Sequence, residues 1–344
     1  PSEITRYSRH LLLTPGFGVA GQQSLLSSSV LVVGSGGLGS SVLQYLAGSG
    51  VGTLGVVDDD VVELGNLHRQ VLHDTRGLGV NKSHNARERI REINPLVKVV
   101  TYPFTLTHST SLSIFGSCSG SGSISYDVIV DCSDNPYTRY LISDLSVIHS
   151  IPLVSGSAMG FEGQLTVYNY KGGPCYRCVY PSPSRADGCK SCGDNGVLGP
   201  VPGIIGTLQA VEVIKILTNV GEVVSGRLLM YDALGAGGFR TFRMPGGGRR
   251  EGCRACGDGG SQDINYDKNN EKNNDDDNDN DNGLNRETFG IEDSRGMCEG
   301  LRGPVSMTPS DGPSDGPSDS VGPGEKVVGN AASASSAAAS SAAA

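Results

Sequence analysis

The hydrophobic pattern along the chain changes period repeatedly, and each change marks an element. Val30–Val33 is a continuous β-branched run, as expected of a strand buried on both faces. From Leu38 the apolar positions Leu38, Val42, Tyr45 and Leu46 recur at three- and four-residue spacing, which predicts a helix. Thr53–Val57 predicts a second buried strand. Lys82–Ile93 is an amphipathic helix rich in Arg and Glu, ended by Asn94-Pro95. Strands are expected at Val97–Tyr102, Tyr126–Val130 and Pro152–Ser155, while Gly163–Tyr170 alternates like an antiparallel or edge strand. A helix over Gly206–Leu217 and strands at Arg227–Asp232 and Arg240–Met244 follow, and residues 3–29 read as helical at their start. Strands alternating with helices predict an α/β fold with a mostly parallel sheet.

Between the first strand and its helix, Gly34, Gly36 and Gly39 form a G-x-G-x-x-G turn, with Gly37 adding backbone openness. The second strand ends in Asp58-Asp59-Asp60. Strand, glycine turn, helix, strand and acidic end is the order a Rossmann-like nucleotide fold requires. Such a turn lets backbone N–H groups approach a phosphate at a helix N-terminus, and Asp58 is placed to accept from ribose hydroxyls. The fold expected is therefore Rossmann-like, with helices on both faces of the sheet and antiparallel strands extending it. The turn alone does not choose among dehydrogenases, methyltransferases and activating enzymes.

Composition divides the chain. From Asp263 onward there are 16 acidic and 6 basic residues, which leaves 20 acidic against 21 basic before that point. The overall net charge of −9 therefore says nothing about the site. KNNEKNNDDDNDNDNG, repeated SDGP units and an Ala/Ser run offer too little apolar surface to offset chain entropy, so residues 263–344 are expected as a disordered tail and residues 1–262 as the folded part. A Gly/Ser stretch at 116–125, carrying Cys118, reads as a surface-loop insertion. No apolar run reads as long enough to cross a bilayer, since the longest are broken by glycine or charge. The chain begins Pro-Ser-Glu, so a preceding segment stays open. Cysteines in paired C-x-x-C spacing favour metal over disulfide and a reducing compartment, most simply the cytosol.

Cys175-x-x-Cys178 and Cys253-x-x-Cys256 supply four thiolates for a tetrahedral, structural zinc that would tie the last ordered segment to the middle of the chain. The alternative is four unconnected cysteines. Asp131 and Asp134 follow a strand end facing the same crevice as the glycine turn, where carboxylates hold Mg²⁺; helix capping by D-x-x-D-N is the equal alternative. Asn66, Arg69, Gln70 and Lys82 form a polar and basic set, more than hydride transfer needs and suited to the oxygens of a leaving pyrophosphate. Each cation taken singly reads equally as a solvated surface. Cys189 and Cys192 form a further C-x-x-C in a Pro/Ser/Gly loop, open to zinc, redox or nucleophilic readings as well as to an idle surface role. His68, His73 and His84 have no nucleophile at a telling spacing and are given no catalysis. Arg6, Tyr7, Arg9 and His10 read as a solvated basic helix face.

Taken together, RYSRH, the glycine unit through GNLHRQ, DCSDN, PLVSGSAMGFEGQLTVY, GGPCYRC and GVLGPVPGIIGTLQAVEVIKIL resemble the activating-enzyme family of ubiquitin-like systems (ThiF/MoeB type), in the branch that includes the molybdopterin-synthase adenylyltransferases. The resemblance runs from about Arg6 to Gly257. It implies a homodimer that adenylates the C-terminal glycine of a ubiquitin-like sulfur-carrier protein with ATP and Mg²⁺, in molybdopterin synthesis or tRNA thiolation. By position it places Gly37 in the nucleotide loop, Asp58 on the ribose, and Gly65, Asn66, Leu67, His68, Arg69 and Lys82 along the phosphates. It gives Asp134, with Asn135 beside it, the Mg²⁺ role, and makes Arg9 an arginine that reaches the neighbour's ATP site. Cys175, Cys178, Cys253 and Cys256 match zinc ligands, and Cys192 matches a cysteine of the eukaryotic branch that attacks the carrier's acyl-adenylate. Family members usually carry Ser where this chain has Gly65, and Ala or Gln where it has His68. The eukaryotic two-domain enzymes add a rhodanese domain. Here Cys298 has no rhodanese loop around it, so a rhodanese-type sulfur donor is expected in trans.

Two other functions compete. An NAD-dependent oxidoreductase is allowed by the glycine turn, and a non-catalytic subunit of a heterodimeric activating enzyme by the resemblance. The second predicts lost ATP-site residues, whereas Arg9, Asp58, Arg69, Lys82 and Asp134 are all present. Direct nucleic-acid and membrane partners are not expected.

Overall fold

The computed structural model describes residues 2–116, 124–181, 196–244 and 248–257. Residues 263–344, expected as a tail, and the loops carrying Cys118, Cys189 and Cys192 lie outside them. The chain enters through α1 (Ser2–Arg6), α2 (Ser8–Leu11) and α3 (Gly18–Ser27), then runs β1 (Ser29–Val33), α4 (Gly37–Ser49), β2 (Thr53–Val57), α5 (Lys82–Ile93) and β3 (Lys98–Tyr102). It continues through α6 (His108–Phe115), β4 (Val128–Asp131), α7 (Pro136–Ile148), β5 (Leu153–Met159) and β6 (Glu162–Tyr168). Last come α8 (Tyr176–Val179), α9 (Pro200–Thr218), β7 (Arg227–Asp232) and β8 (Phe239–Arg243).

The strands form one sheet in the order β3-β2-β1-β4-β5-β6-β7-β8. Pairings from β3 to β5 are parallel, and those from β5 to β8 are antiparallel. The β-branched runs that read as doubly buried strands are so. Along β1, Val30 and Val32 pack with Val42 and Leu46 of α4 and Ile205 and Val213 of α9. Leu31 and Val33 point the other way, to Ile114 of α6 and Ile142 and Leu145 of α7. Helices therefore cover both faces of the parallel half, as expected.

The chain winds outward from β1 to β3, then crosses back past β1 to β4. Nucleotide sites in open sheets form at this reversal, outside the carboxyl ends of the strands. The register pairs Val33 with both Val57 and Asp131, so the glycine turn, Asp58 and the Asp131 segment leave the sheet side by side.

Two sequence expectations need correction. Helix α9 is long and apolar enough to cross a membrane by length and composition, contrary to the reading that no run was. Here Val201, Ile205, Ala210 and Val213 are fully or almost fully buried in the core, and Glu212 pairs with Lys215. The RYSRH segment is not uniformly solvated. Tyr7 is buried, its hydroxyl accepting from Asn94 Nδ2 at 2.9 Å, while Arg9 is exposed.

Candidate nucleotide site and cysteine cluster

Local geometry first shapes the glycine turn. Gly34 has φ of +92°, and a Cβ there would meet the Cys132 carbonyl oxygen at 2.7 Å. A Cβ on Gly39 would stand 2.0 Å from the Gly34 oxygen, so only glycine lets α4 start this close to β1. Between them Ser35 is clamped: its N–H and Oγ both donate to Asp58 Oδ2, at 2.7 and 2.8 Å. Gly36 is the N-cap of α4, and no side chain caps that helix. Its first amides remain available to an anion.

The turn opens on a cavity of about 540 Å³. Gly36, Gly37, Asp58, His68, Arg69 and Lys82 line one side, and Ser133, Asp134, Asn135 and Thr138 another. Lys82 is the first residue of α5, fixed there by the N-cap Asn81, whose side chain accepts from Ser83 and His84 N–H. Lys82 is buried, and its ammonium pairs with Asp60 at 2.7 Å. The Arg69 guanidinium donates to Asn66 Oδ1 at 2.7 Å. Burial raises the Asp58 carboxyl above its ordinary 3.8, with the Ser35 N–H, the Lys82 charge, the Ser35 hydroxyl and the Asp60 N–H pulling the other way.

Asp131 and Asp134 are separated by their surroundings. Asp131 is buried, accepts from Ser133 N–H and Oγ and from Ser155 Oγ, and pairs with Arg139 at 3.2 Å. Asp134 is exposed on the cavity wall. Asn135, not either aspartate, caps α7 by accepting from Tyr137 N–H, with Pro136 at the first helical position. A hard cation finds free carboxylate oxygens at Asp134 and none at Asp131.

Gly65, Asn66 and Leu67 do not line the cavity; Gly65 and Asn66 instead form a short turn of helix with Leu64 that supports Arg69. Arg9 is absent from the lining as well. Cys192 lies outside the described residues. Sequence reasoning did not single out Phe104, Thr105 and Leu106, which line the cavity just past β3. Their position beyond a parallel strand's carboxyl end was the available signal. It also passed over Ser35, which holds Asp58, and Pro202 at the start of α9.

The four paired cysteines come together 78 residues apart in sequence. Sγ separations are 3.8 Å for Cys175–Cys178, 3.6 Å for Cys175–Cys253 and 3.4 Å for Cys178–Cys256. All four sulfurs lie within 4.8 Å of one another. A tetrahedron with Zn–S bonds of about 2.3 Å has edges of about 3.8 Å, so this donor set fits zinc. Burial raises the Cys253 thiol, but N–H groups of Cys256 and Ala255 and the neighbouring thiols outweigh it and bring it down to about 7. With all four corners supplied by sulfur, a metal here would have no open position for substrate.

Residues 7–255 match the ThiF family model. The chain belongs to the ThiF family. Among ThiF relatives, the adenylyltransferase and sulfurtransferase MOCS3 of Dictyostelium discoideum is 51% identical over 259 residues, covering 75% of this chain and 58% of that protein. MOCS3 of Bos taurus is 52% identical over 256 residues, covering 74% and 54%. The chain thus spans little more than half the length of these curated relatives. Among solved structures, E. coli MccB with MccA-N7isoASN superposes with a TM-score of 0.62 at 22% identity, covering 75% of this chain and 76% of that one. That likeness is one of fold.

Proposed function

We propose that this chain is an ATP-dependent adenylyltransferase acting on the C-terminal glycine of a ubiquitin-like sulfur-carrier protein. The observation that carries the reading is the cavity at the sheet's reversal, where an uncapped helix start, two cations and an exposed carboxylate converge. Half-identity to MOCS3 proteins supports it over hydride transfer. The reaction joins a carboxylate oxygen of the carrier to the α-phosphorus of ATP and breaks the bond to pyrophosphate, which leaves with the electron pair. Gly37 and the turn amides hold phosphate oxygens, and Asp58 receives the ribose hydroxyls. Arg69, steadied by Asn66, and Lys82, with His68 beside them on the cavity wall, offset charge building on the leaving pyrophosphate. Asp134, beside Asn135, would hold Mg²⁺, which when bound would supply positive charge against the phosphates.

Arg9 completes the site of a second copy. Its helix is pinned on both sides: Tyr7 to Asn94, Arg6 to the Ile93 carbonyl, and His10 through Gln22 to the Ser49 carbonyl. Those anchors sit at the carboxyl ends of α4 and α5, whereas the cavity lies at their amino ends. The 13 residues of α4 span about 20 Å, so Arg9 stands a helix length from its own cavity. This favours a homodimer. The four-cysteine cluster holds a structural zinc. The end use is molybdopterin synthesis or tRNA thiolation, in the cytosol, with a rhodanese-type domain as the sulfur donor. The Cys192 thiolate attacks the carrier's acyl-adenylate to form a thioester, and AMP leaves with the electron pair.

Carrier-dependent exchange of labelled pyrophosphate into ATP tests the reading. Exchange that requires a carrier ending in glycine is expected. Absence of exchange, with NADH binding instead, overturns it. Cys192→Ala should retain exchange yet lose a reductant-sensitive carrier adduct, and Cys189→Ala should retain both.

A further inference from the structure

We infer that His73, a buried histidine outside the cavity lining, is a positioning residue that fixes the phosphate-binding face of the glycine turn. The inference rests on the nucleotide reading above. His73 is 5% exposed. Its Nε2 lies 3.0 Å from the Ser35 carbonyl oxygen, so that nitrogen carries the hydrogen and donates. Its Nδ1 lies 2.7 Å from the side-chain oxygen Oδ1 of Asn85, on α5 three residues beyond Lys82. One ring thus ties the glycine turn to the helix that presents the buried lysine.

The consequence follows from peptide planarity. The Ser35 carbonyl and the Gly36 N–H belong to one trans peptide unit and point in opposite directions. Holding the carbonyl on His73 directs the Gly36 N–H away from the ring, at a residue that lines the cavity. Other contacts on Ser35 constrain this peptide less. Its N–H and Oγ are held by Asp58, which fixes the preceding peptide, and Ser40 Oγ reaches the carbonyl only at 3.5 Å. Without the His73 donor, rotation of the Ser35–Gly36 peptide would turn a carbonyl dipole toward the phosphates, and Gly36 has no Cβ to resist it. His73 therefore acts on phosphate binding through Ser35 and touches no ligand.

The test uses the full chain and compares ATP with adenosine as competitors of a fluorescent ATP analogue. His73→Asn keeps a group near Nδ1 but removes the donor to Ser35. It should weaken ATP by about tenfold or more, the scale of one lost hydrogen bond to a charged group, and change adenosine by less than twofold. His73→Gln carries an amide N–H to about the position of Nε2, and should restore the ATP-to-adenosine ratio. Wild-type ATP affinity in His73→Asn, or equal losses for ATP and adenosine, would overturn the inference, because a purely structural role lowers both alike. If His73→Asn does not fold, His73→Gln decides: a retained ratio supports the inference and a tenfold fall in it sinks it. Failure of the wild-type chain to bind ATP would instead refute the nucleotide reading itself.

Discussion

Asp131 and Asp134 stand at the same strand end, and their different surroundings predict opposite kinds of failure. Asp134 has no structural work that a substitution would disturb, so Asp134→Ala should keep its folding midpoint and lose pyrophosphate exchange. Losing a contact made mainly in the transition state costs about 3 kcal/mol, or a hundredfold. Asp131→Ala removes the buried carboxylate that faces the Arg139 guanidinium, itself only 15% exposed, while the bonds from Arg139 to the Ser133 and Gly156 carbonyls remain. It should cost about 3 kcal/mol of stability in urea denaturation. If the two variants swap behaviours, the Mg²⁺ assignment moves to Asp131. Asp58 gives a third residue-scale expectation, with a sign. Its folded carboxyl is raised above 3.8, so the native state holds the proton more tightly than the unfolded chain. Stability from this group is therefore present at low pH and is lost as pH rises through the folded value. Asp58→Asn removes that dependence. The stability of the variant relative to wild type should be greater at pH 7 than at pH 4.5, while its nucleotide affinity falls. A relative stability that grows toward acid would contradict the burial argument.

At the scale of elements, the sequence was legible wherever a strong local rule agreed with the final packing. Val30–Val33 and Thr53–Val57 lie within the strands found, and Lys82–Ile93 is the helix found. The glycine turn announced its position because its spacing is itself a steric requirement. Helix α6 went unread: His108–Phe115 is largely Ser, Thr and His, and it starts on a Thr107–Thr110 capping box rather than an apolar period. Helix α9 begins at Pro200, six residues before the expected Gly206, because VPGIIG reads as loop. Gly206 serves packing instead. A Cβ on Gly206 would meet the Leu38 carbonyl at 2.3 Å, so Gly206 lets α9 lie against α4. Of the residues named from the sequence, Gly37, Asp58, His68, Arg69, Lys82, Asp134 and Asn135 line the cavity and Arg9, Gly65, Asn66 and Leu67 do not; the contacts were not legible, since nothing in the sequence pairs Ser35 with Asp58 or Asp131 with Arg139. The cysteine pairs were legible because thiolate spacing is close to a geometric specification. They tie Cys175 and Cys178 around α8 to the segment that follows β8. One zinc per chain should be found by elemental analysis. Cys253→Ser should lower the thermal midpoint and not merely slow exchange, because ligation contributes directly to folding. A metal-free preparation as stable as the loaded one would remove the structural role.

At the scale of the whole molecule, the decisive feature is that Arg9 and the cavity lie at opposite ends of the same helices. Tyr7 anchors the entrance helix firmly: it is 3% exposed, and a Cβ on Gly50 would fall 2.4 Å from its hydroxyl. That anchorage makes a swing of Arg9 into its own cavity incompatible with the packed Tyr7. If Arg9 acts in catalysis, it acts in another copy. Arg9→Ala and Asp134→Ala should each be inactive in pyrophosphate exchange as homodimers. When the two are mixed, a heterodimer contains one site that has lost both groups and one that has both. Statistical mixing of equal amounts makes half of all dimers mixed, each with one working site of two, so about a quarter of wild-type activity should return. The measurement is exchange after co-incubation, with subunit exchange established separately from differently tagged copies. Recovery near a quarter fits action in trans. No recovery despite proven mixing would mean that Arg9 serves its own chain or no chain, and that the entrance helix is only a structural strap.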